Sequence, residues 1–253
     1  SLAAPNLGLA PNLLRTQRSL KQLLEGGPWD LERLQKAQFS SRLELADRLL
    51  PLLLPAAKLL ANPLGLEAAE VLKAWDRQAA PTSRGAVLFF FWASTLERQS
   101  LFSKPWNPAD PLNTPAGLRD INQALAVLEG VAAQVKLLYG SLDISWGEVA
   151  QMQAGARRQP ASGAPGDLGS FRVLQFKTTP QQRLQAWFGD SFIQIVEFSD
   201  PPRAQSVLVY GNSSQPGSPH NGDQLELYAQ DRLRPVWRTP HEIGAHLEKR
   251  ELF

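Results

Sequence analysis

The stretch YGNSSQPGSPHNGDQLELY, Tyr210 to Tyr228, decides how the rest of the chain is read. Three glycines, two prolines and a run of hydroxyl and amide side chains mark a sequence of turns more specific than a solvent loop requires. Ser218, His220 and Asp223 carry the residue types of a hydrolytic triad. Triad groups usually converge from separate segments, and the chain has no G-x-S-x-G elbow. The structural reading is the better one. Ser218 is expected to cap a helix with Pro219 in its first turn, and Asp223 to sit at the positive end of that helix.

Upstream of this stretch the pattern is that of strands. FRVLQFKT (171–178), SFIQIVEF (191–198) and QSVLVYG (205–211) are expected strands, and Asp200-Pro201-Pro202-Arg203 turns the last two into a hairpin. The middle strand carries Phe192, Val196 and Phe198 on one side and Ile193 and Ile195 on the other, so burial on both faces is expected. The Ala-, Gly- and Pro-rich residues 155–169 are expected to form a long loop. Downstream, Thr239-Pro240-His241-Glu242 is a T-x-x-E capping box, which predicts a last helix from Pro240 towards Leu252.

The first 140 residues read as helical. Leu34, Ala37, Leu45, Leu49 and Leu53 form a helical stripe over 31–54, opened by Asp30 and kinked or stopped by Pro51 and Pro55. Further segments are predicted over 66–75 and 86–99, the latter deeply buried. A long apolar seam follows Thr114-Pro115, with Thr114 as N-cap, Pro115 at the first helical position and Gly140 at the C-terminal end. The fold class is α+β. Residues 1–140 form a mainly helical region, and 141–253 an antiparallel sheet region with a closing helix, together one structural unit.

Composition narrows the function. The 253 residues hold no cysteine, so disulfides, thiolate metal sites and a cysteine nucleophile are excluded. With 26 basic and 24 acidic residues and no dense basic run, nucleic acid is not an expected partner. The longest apolar run, Ala86 to Ala93, is far short of the roughly 20 residues a membrane span needs. The histidines lie at 220, 241 and 246. HEIGAH spaces two of them five apart, which separates them around a helix and speaks against the zinc signature. Neither a cofactor nor a metal is expected.

Several segments resemble the penicillin acylase family of N-terminal-nucleophile hydrolases. They are the opening stretch continued to Trp237, WNPADPLNTPAGL (106–118), SWGEVAQMQAG (145–155), GSFRVL (169–174) and LQKAQFSSRLELADRLLPLLL (34–54). The resemblance is greatest to the acyl-homoserine-lactone acylase and aculeacin A acylase branch, over the C-terminal half of the catalytic β chain. It implies a four-layer αββα sandwich. It also implies a periplasmic or secreted precursor cut into α and β chains, and hydrolysis of N-acylated small molecules.

In that family the β chain begins with the serine nucleophile, whose own amine is the base, and an asparagine helps hold the oxyanion. Here the nucleophile is expected outside the chain, on the rest of the acylase α and β chains. Ser1, though N-terminal, fits a fragment boundary better than a working nucleophile. The oxyanion asparagine falls near Ser41, or one turn later at Leu45, on the helix expected over Gln38 to Pro51, and no asparagine occurs between Asn12 and Asn62. Two readings stay open: part of an active acylase, or a non-catalytic relative that keeps the fold.

Overall fold

The computed structural model describes residues 14–97, 101–247 and 249. Ser1 lies outside them. Seven helices come first: α1 (Leu14–Glu25), α2 (Leu31–Gln38), α3 (Glu44–Leu60), α4 (Pro63–Ala74), α5 (Ala86–Thr95), α6 (Ile121–Tyr139) and the short α7 (Trp146–Val149). Two sheets follow. The first has the order β2-β1-β4-β3, from β1 (Ala150–Ala154), β2 (Arg157–Pro160), β3 (Leu174–Thr178) and β4 (Leu184–Gly189). The second has the order β5-β6-β7, from β5 (Phe192–Glu197), β6 (Arg203–Leu208) and β7 (Arg234–Pro235). Helices α8 (Leu225–Ala229) and α9 (Pro240–Ala245) complete the α+β architecture expected from the sequence.

The helix expected over 31–54 is two helices. Asp30 does cap the first, accepting from the Arg33 amide at 2.8 Å. The chain then leaves the helix at Phe39, and residues 41–43 run extended against 77–79. The Ala79 amide donates to the Ser41 carbonyl at 3.0 Å, and the Leu43 amide to the Arg77 carbonyl at 2.9 Å. The second helix passes straight through Pro51 and Pro55. These prolines stand one turn apart on the exposed face. The opposite seam of Leu45, Leu49, Leu53 and Ala57 is wholly buried. Proline inside a helix costs about 3 kcal/mol or more, and each buried leucine returns about 1.5–3 kcal/mol, so the packed face wins.

Helix α5 is buried nearly all round, as expected, and Trp92 satisfies its indole N–H on the Ala124 carbonyl at 2.9 Å. Helix α6 begins six residues later than the sequence suggests. Its N-cap is Asp120, which accepts from the Gln123 amide at 2.9 Å. Thr114 instead closes the preceding loop, donating to the Asp110 carbonyl at 2.6 Å and accepting from the Asn107 amide at 2.8 Å. Gly140 ends α6 in the left-handed region, as its position predicts.

The hairpin of β5 and β6 is antiparallel, as expected, but β6 begins at Arg203, two residues before the strand expected there. Burial of β5 on both faces is corrected: Ile193 and Ile195 point inward, while Phe192, Val196 and Phe198 are exposed. Residues 155–169, expected to be one loop, contain β2, which pairs with β1 around Gly155, and a 3₁₀ turn at Gly166–Leu168. One ladder, β1 with β4, is parallel. No helix starts at Ser218. Residues 211–223 form turns, and α8 starts only at Leu225, after Gln224. The capping box of α9 is formed, with Glu242 accepting from the Thr239 amide at 2.9 Å, but the helix ends at Ala245.

Candidate functional site

The extended segment after α2 forms one wall of a cleft of about 630 Å³, lined among others by Trp29, Arg33, Phe39, Ser41, Gln78 and Asp231. Ser41 is buried, and it sits on fixed backbone rather than on the helix expected for it. One neighbour is the 77–79 segment. On the other side the Arg172 amide donates to the Ser40 carbonyl at 3.1 Å.

The charges around this segment are arranged to hold it. Asp47 takes both nitrogens of an Arg42 fork at 2.7 Å each, and Arg77 at 3.0 Å. Such paired, charge-assisted bonds fix geometry as well as adding energy. Glu44, almost wholly buried at the start of α3, is met by Lys21 and by Arg48 at 3.0 Å. Arg48 continues to Gln17 at 2.6 Å and to the Leu112 carbonyl at 2.7 Å. The network therefore ties α1, the entry of α3 and the loop before α6 together behind Ser41.

The far wall rests on Arg172, a fully buried arginine inside an otherwise apolar run. Its guanidinium donates to Asp231 and, at 2.7 Å, to the Tyr228 carbonyl. It also lies 4.2 Å from the Tyr228 ring centroid and 5.2 Å from that of Phe39. Asp231 lines the cleft in a left-handed conformation, φ 57°. Its carbonyl accepts from Gln35 Nε2 at 2.8 Å, which clasps α2 to the end of α8. Burial pushes the Asp231 carboxyl above the usual aspartate value, and the Arg172 charge opposes that rise. The Tyr228 hydroxyl is buried without a hydrogen-bond partner among the described residues, and burial pushes its pKa up.

Sequence reasoning named Ser41 and missed Arg172, Asp231 and Trp29. The available signal was Arg172 itself, a lone charge in FRVLQF where a core strand was expected. The triad types of the 218–223 turn do not converge. Ser218 Oγ accepts from the backbone amide of His220 at 3.2 Å, and His220 Nδ1 meets Asp223 at 3.0 Å. His246 stacks on Trp237 with centroids 3.7 Å apart and donates from Nδ1 to the Glu242 carbonyl at 2.8 Å. Among the described residues no cluster of three His, Asp or Glu side chains is placed to hold a metal, and no helix is long and apolar enough to cross a membrane.

The turn at 211–223 is a latch. The Gln224 side chain accepts from the Leu208 amide at 3.0 Å and donates to Asn212 at 3.0 Å. Arg157 on β2 donates to the Gly222 carbonyl at 3.1 Å. A Cβ on Gly211 would collide with the His220 carbonyl and lie 2.7 Å from the Gly222 nitrogen, so only glycine allows this closure.

Comparison with known proteins gives a consistent result. The penicillin amidase family model matches residues 6–245. The acyl-homoserine lactone acylase PvdQ of Pseudomonas fluorescens is 28% identical over 266 residues, covering 96% of this chain and 34% of that protein. The aculeacin-A acylase of Actinoplanes utahensis is 29% identical over 187 residues, covering 70% of this chain and 22% of that protein. Among solved structures, the thermostable penicillin G acylase of Alcaligenes faecalis shares the fold with a TM-score of 0.51 at 15% identity. That match covers 94% of this chain and 52% of the acylase chain. The chain thus spans about a third of the length of the curated PvdQ relative.

Proposed function

The chain belongs to the penicillin amidase family, and from that premise we propose that it is one part of an acylase that hydrolyses the amide bond of N-acylated small molecules. The observation that carries this reading is the near-complete match of the chain to the family and to relatives named as acylases. Acyl-homoserine lactones are the first substrates to try, with lipopeptides and β-lactam side-chain amides after them. The site of action is periplasmic or secreted.

In this reading the nucleophilic serine lies on the rest of the acylase. Its free amine takes the hydroxyl proton as the oxygen attacks the amide carbonyl, and water later releases the acid. This chain supplies the wall against which the oxyanion forms. Ser41 stands where the family's asparagine is expected, and its hydroxyl is the donor available there. Trp29 and Phe39 give the cleft an apolar lining suited to an acyl group.

The test is to produce the chain alone and together with the remaining acylase segment, and to follow acyl-homoserine lactone hydrolysis by product mass. Release of the free acid only by the combination supports the reading; activity of this chain alone sinks it. A second reading, a relative that keeps the fold without the chemistry, is favoured by the asparagine-free interval between Asn12 and Asn62. Restoring the amide by Ser41→Asn separates the two. A gain in rate places the position in the oxyanion site, and a complete enzyme inert with either residue supports the non-catalytic reading.

A further inference from the structure

Five large apolar side chains stand exposed along β4, β5 and the turn beyond: Trp187, Phe188, Phe192, Val196 and Phe198. Two local causes put them there. The β3–β4 register shifts between Gln175 and Phe176, which face Phe188 and Ala186, so Trp187 is the extra residue of a bulge. A bulge bends the strand and re-aims its side chains. Here it leaves two successive aromatics outside, at 58% and 63% exposure. On β5 simple alternation sends Ile193 and Ile195 in and leaves Phe192 and Val196 out. The Lys177 ammonium lies 4.2 Å from the Trp187 ring centroid and shelters it only in part.

The same strand has an unfinished edge. β5 is the end strand of its sheet, and among the described residues no strand pairs with its outer side. Its ladder to β6 runs in unbroken register over Phe192–Glu197, with no bulge and no proline, and Glu197 is its one charged residue. Folded proteins normally blunt such an edge with prolines, bulges or charge. An edge left plain beside an aromatic face is built to be covered.

The occupant follows from length. The PvdQ relative of Pseudomonas fluorescens is matched over only 34% of its length, and the solved penicillin G acylase over 52% of its chain, although nearly all of this chain takes part in each match. We propose that the outer edge of β5 is the docking edge for the remaining acylase polypeptide. An extended segment of that polypeptide pairs along Phe192–Glu197, and the structure attached to it covers Trp187, Phe188, Phe192 and Val196. This inference rests on the reading of the chain as part of an acylase.

The experiment co-expresses this chain with the part of the Pseudomonas fluorescens PvdQ that lies outside its match. Complex formation is read by light scattering, the β5 amides by hydrogen–deuterium exchange, and Trp187 by acrylamide quenching. The expected result is a one-to-one complex in which amides of Phe192–Glu197 exchange at least tenfold more slowly than in the chain alone. Phe192→Asp with Val196→Asp weakens the complex at least a hundredfold while leaving circular dichroism unchanged. Leu59→Asp with Leu137→Asp, on exposed helix positions, does not.

Four outcomes overturn the inference: no complex, a complex with unchanged β5 exchange, a complex indifferent to the strand variants, or a homodimer of this chain through the same face. Binding is scored apart from turnover. A β5-dependent complex that hydrolyses nothing removes the acylase reading alone, and hydrolysis without β5 protection removes this one.

Discussion

Arg172 and Asp231 predict an asymmetric response to removing either partner. Arg172 is fully buried, whereas half of the Asp231 side chain reaches solvent. Asp231→Asn keeps the volume and a side-chain oxygen that still accepts, but it removes the countercharge and leaves a guanidinium out of water among neutral acceptors and two rings. An uncompensated buried charge costs about 3–5 kcal/mol, and the two aromatic faces return about 1–2 kcal/mol. The net expectation is a loss of about 3 kcal/mol. Arg172→Met removes the buried charge, keeps most of the stem and leaves an aspartate that water can solvate.

The Tyr228 carbonyl still accepts from the Asp231 amide at 3.2 Å, so Arg172→Met does not orphan it. That variant should lose about 1–2 kcal/mol, chiefly packing and a charge-assisted bond. Combining the two should cost less than Asp231→Asn alone. The assay is urea unfolding at neutral pH, followed by fluorescence and circular dichroism, whose coincidence licenses a two-state treatment. If Arg172→Met proves the more damaging variant, or Asp231→Asn costs under about 1 kcal/mol, the buried guanidinium charge does not govern the stability of this pair.

Three further outcomes follow. Gly169 has φ 83°, and a Cβ there would collide with the Glu44 side chain and lie 2.9 Å from the Glu44 nitrogen, so Gly169→Ala should destabilise by about 2–4 kcal/mol in the same unfolding assay. Hydrogen bonds from the Thr239 and Arg238 amides and the Thr239 hydroxyl hold the Glu242 carboxyl below its usual value. A depressed folded pKa gives stability that is present above the unfolded value of about 4.3 and lost as pH falls through the folded one. Helix α9 should therefore fray on acidification below the ordinary glutamate range, read from backbone NMR shifts, and Glu242→Gln should flatten that response. In a complete, active enzyme Ser41→Ala should lower kcat by about 10²–10³, the usual cost of one oxyanion donor, with the acid product quantified by mass. An unchanged kcat removes Ser41 from the site.

Much of the fold was legible because local signals and packing agree. Asp30, Gly140 and the Thr239 box terminate helices where their chemistry says they should. Legibility failed where a distant contact outweighed a local preference. Pro51 and Pro55 look like stops, yet a buried face of leucines carries α3 through them. Thr114 looks like a cap, yet its hydroxyl closes a loop back to Asn107, seven positions earlier. β4 was missed because its bulge places Trp187 and Phe188 side by side and breaks the period-two pattern. At the candidate site the family resemblance pointed to Ser41. Asp231 enters the cleft through a left-handed turn and a pairing 59 residues away, and neither leaves a periodic trace.

The latch at 211–223 has a consequence for how the molecule melts. Among the described residues the two sheets share no strand ladder. The segment that follows β6 is bonded to both, through Gln224 to the Leu208 amide and through Gly222 to Arg157. Opening either sheet first means abandoning bonds that the other sheet also relies on. The sheets are therefore coupled into one cooperative unit, and a protease cut among the turns of that segment should loosen the β1–β2 hairpin, more than fifty residues upstream, along with its own surroundings.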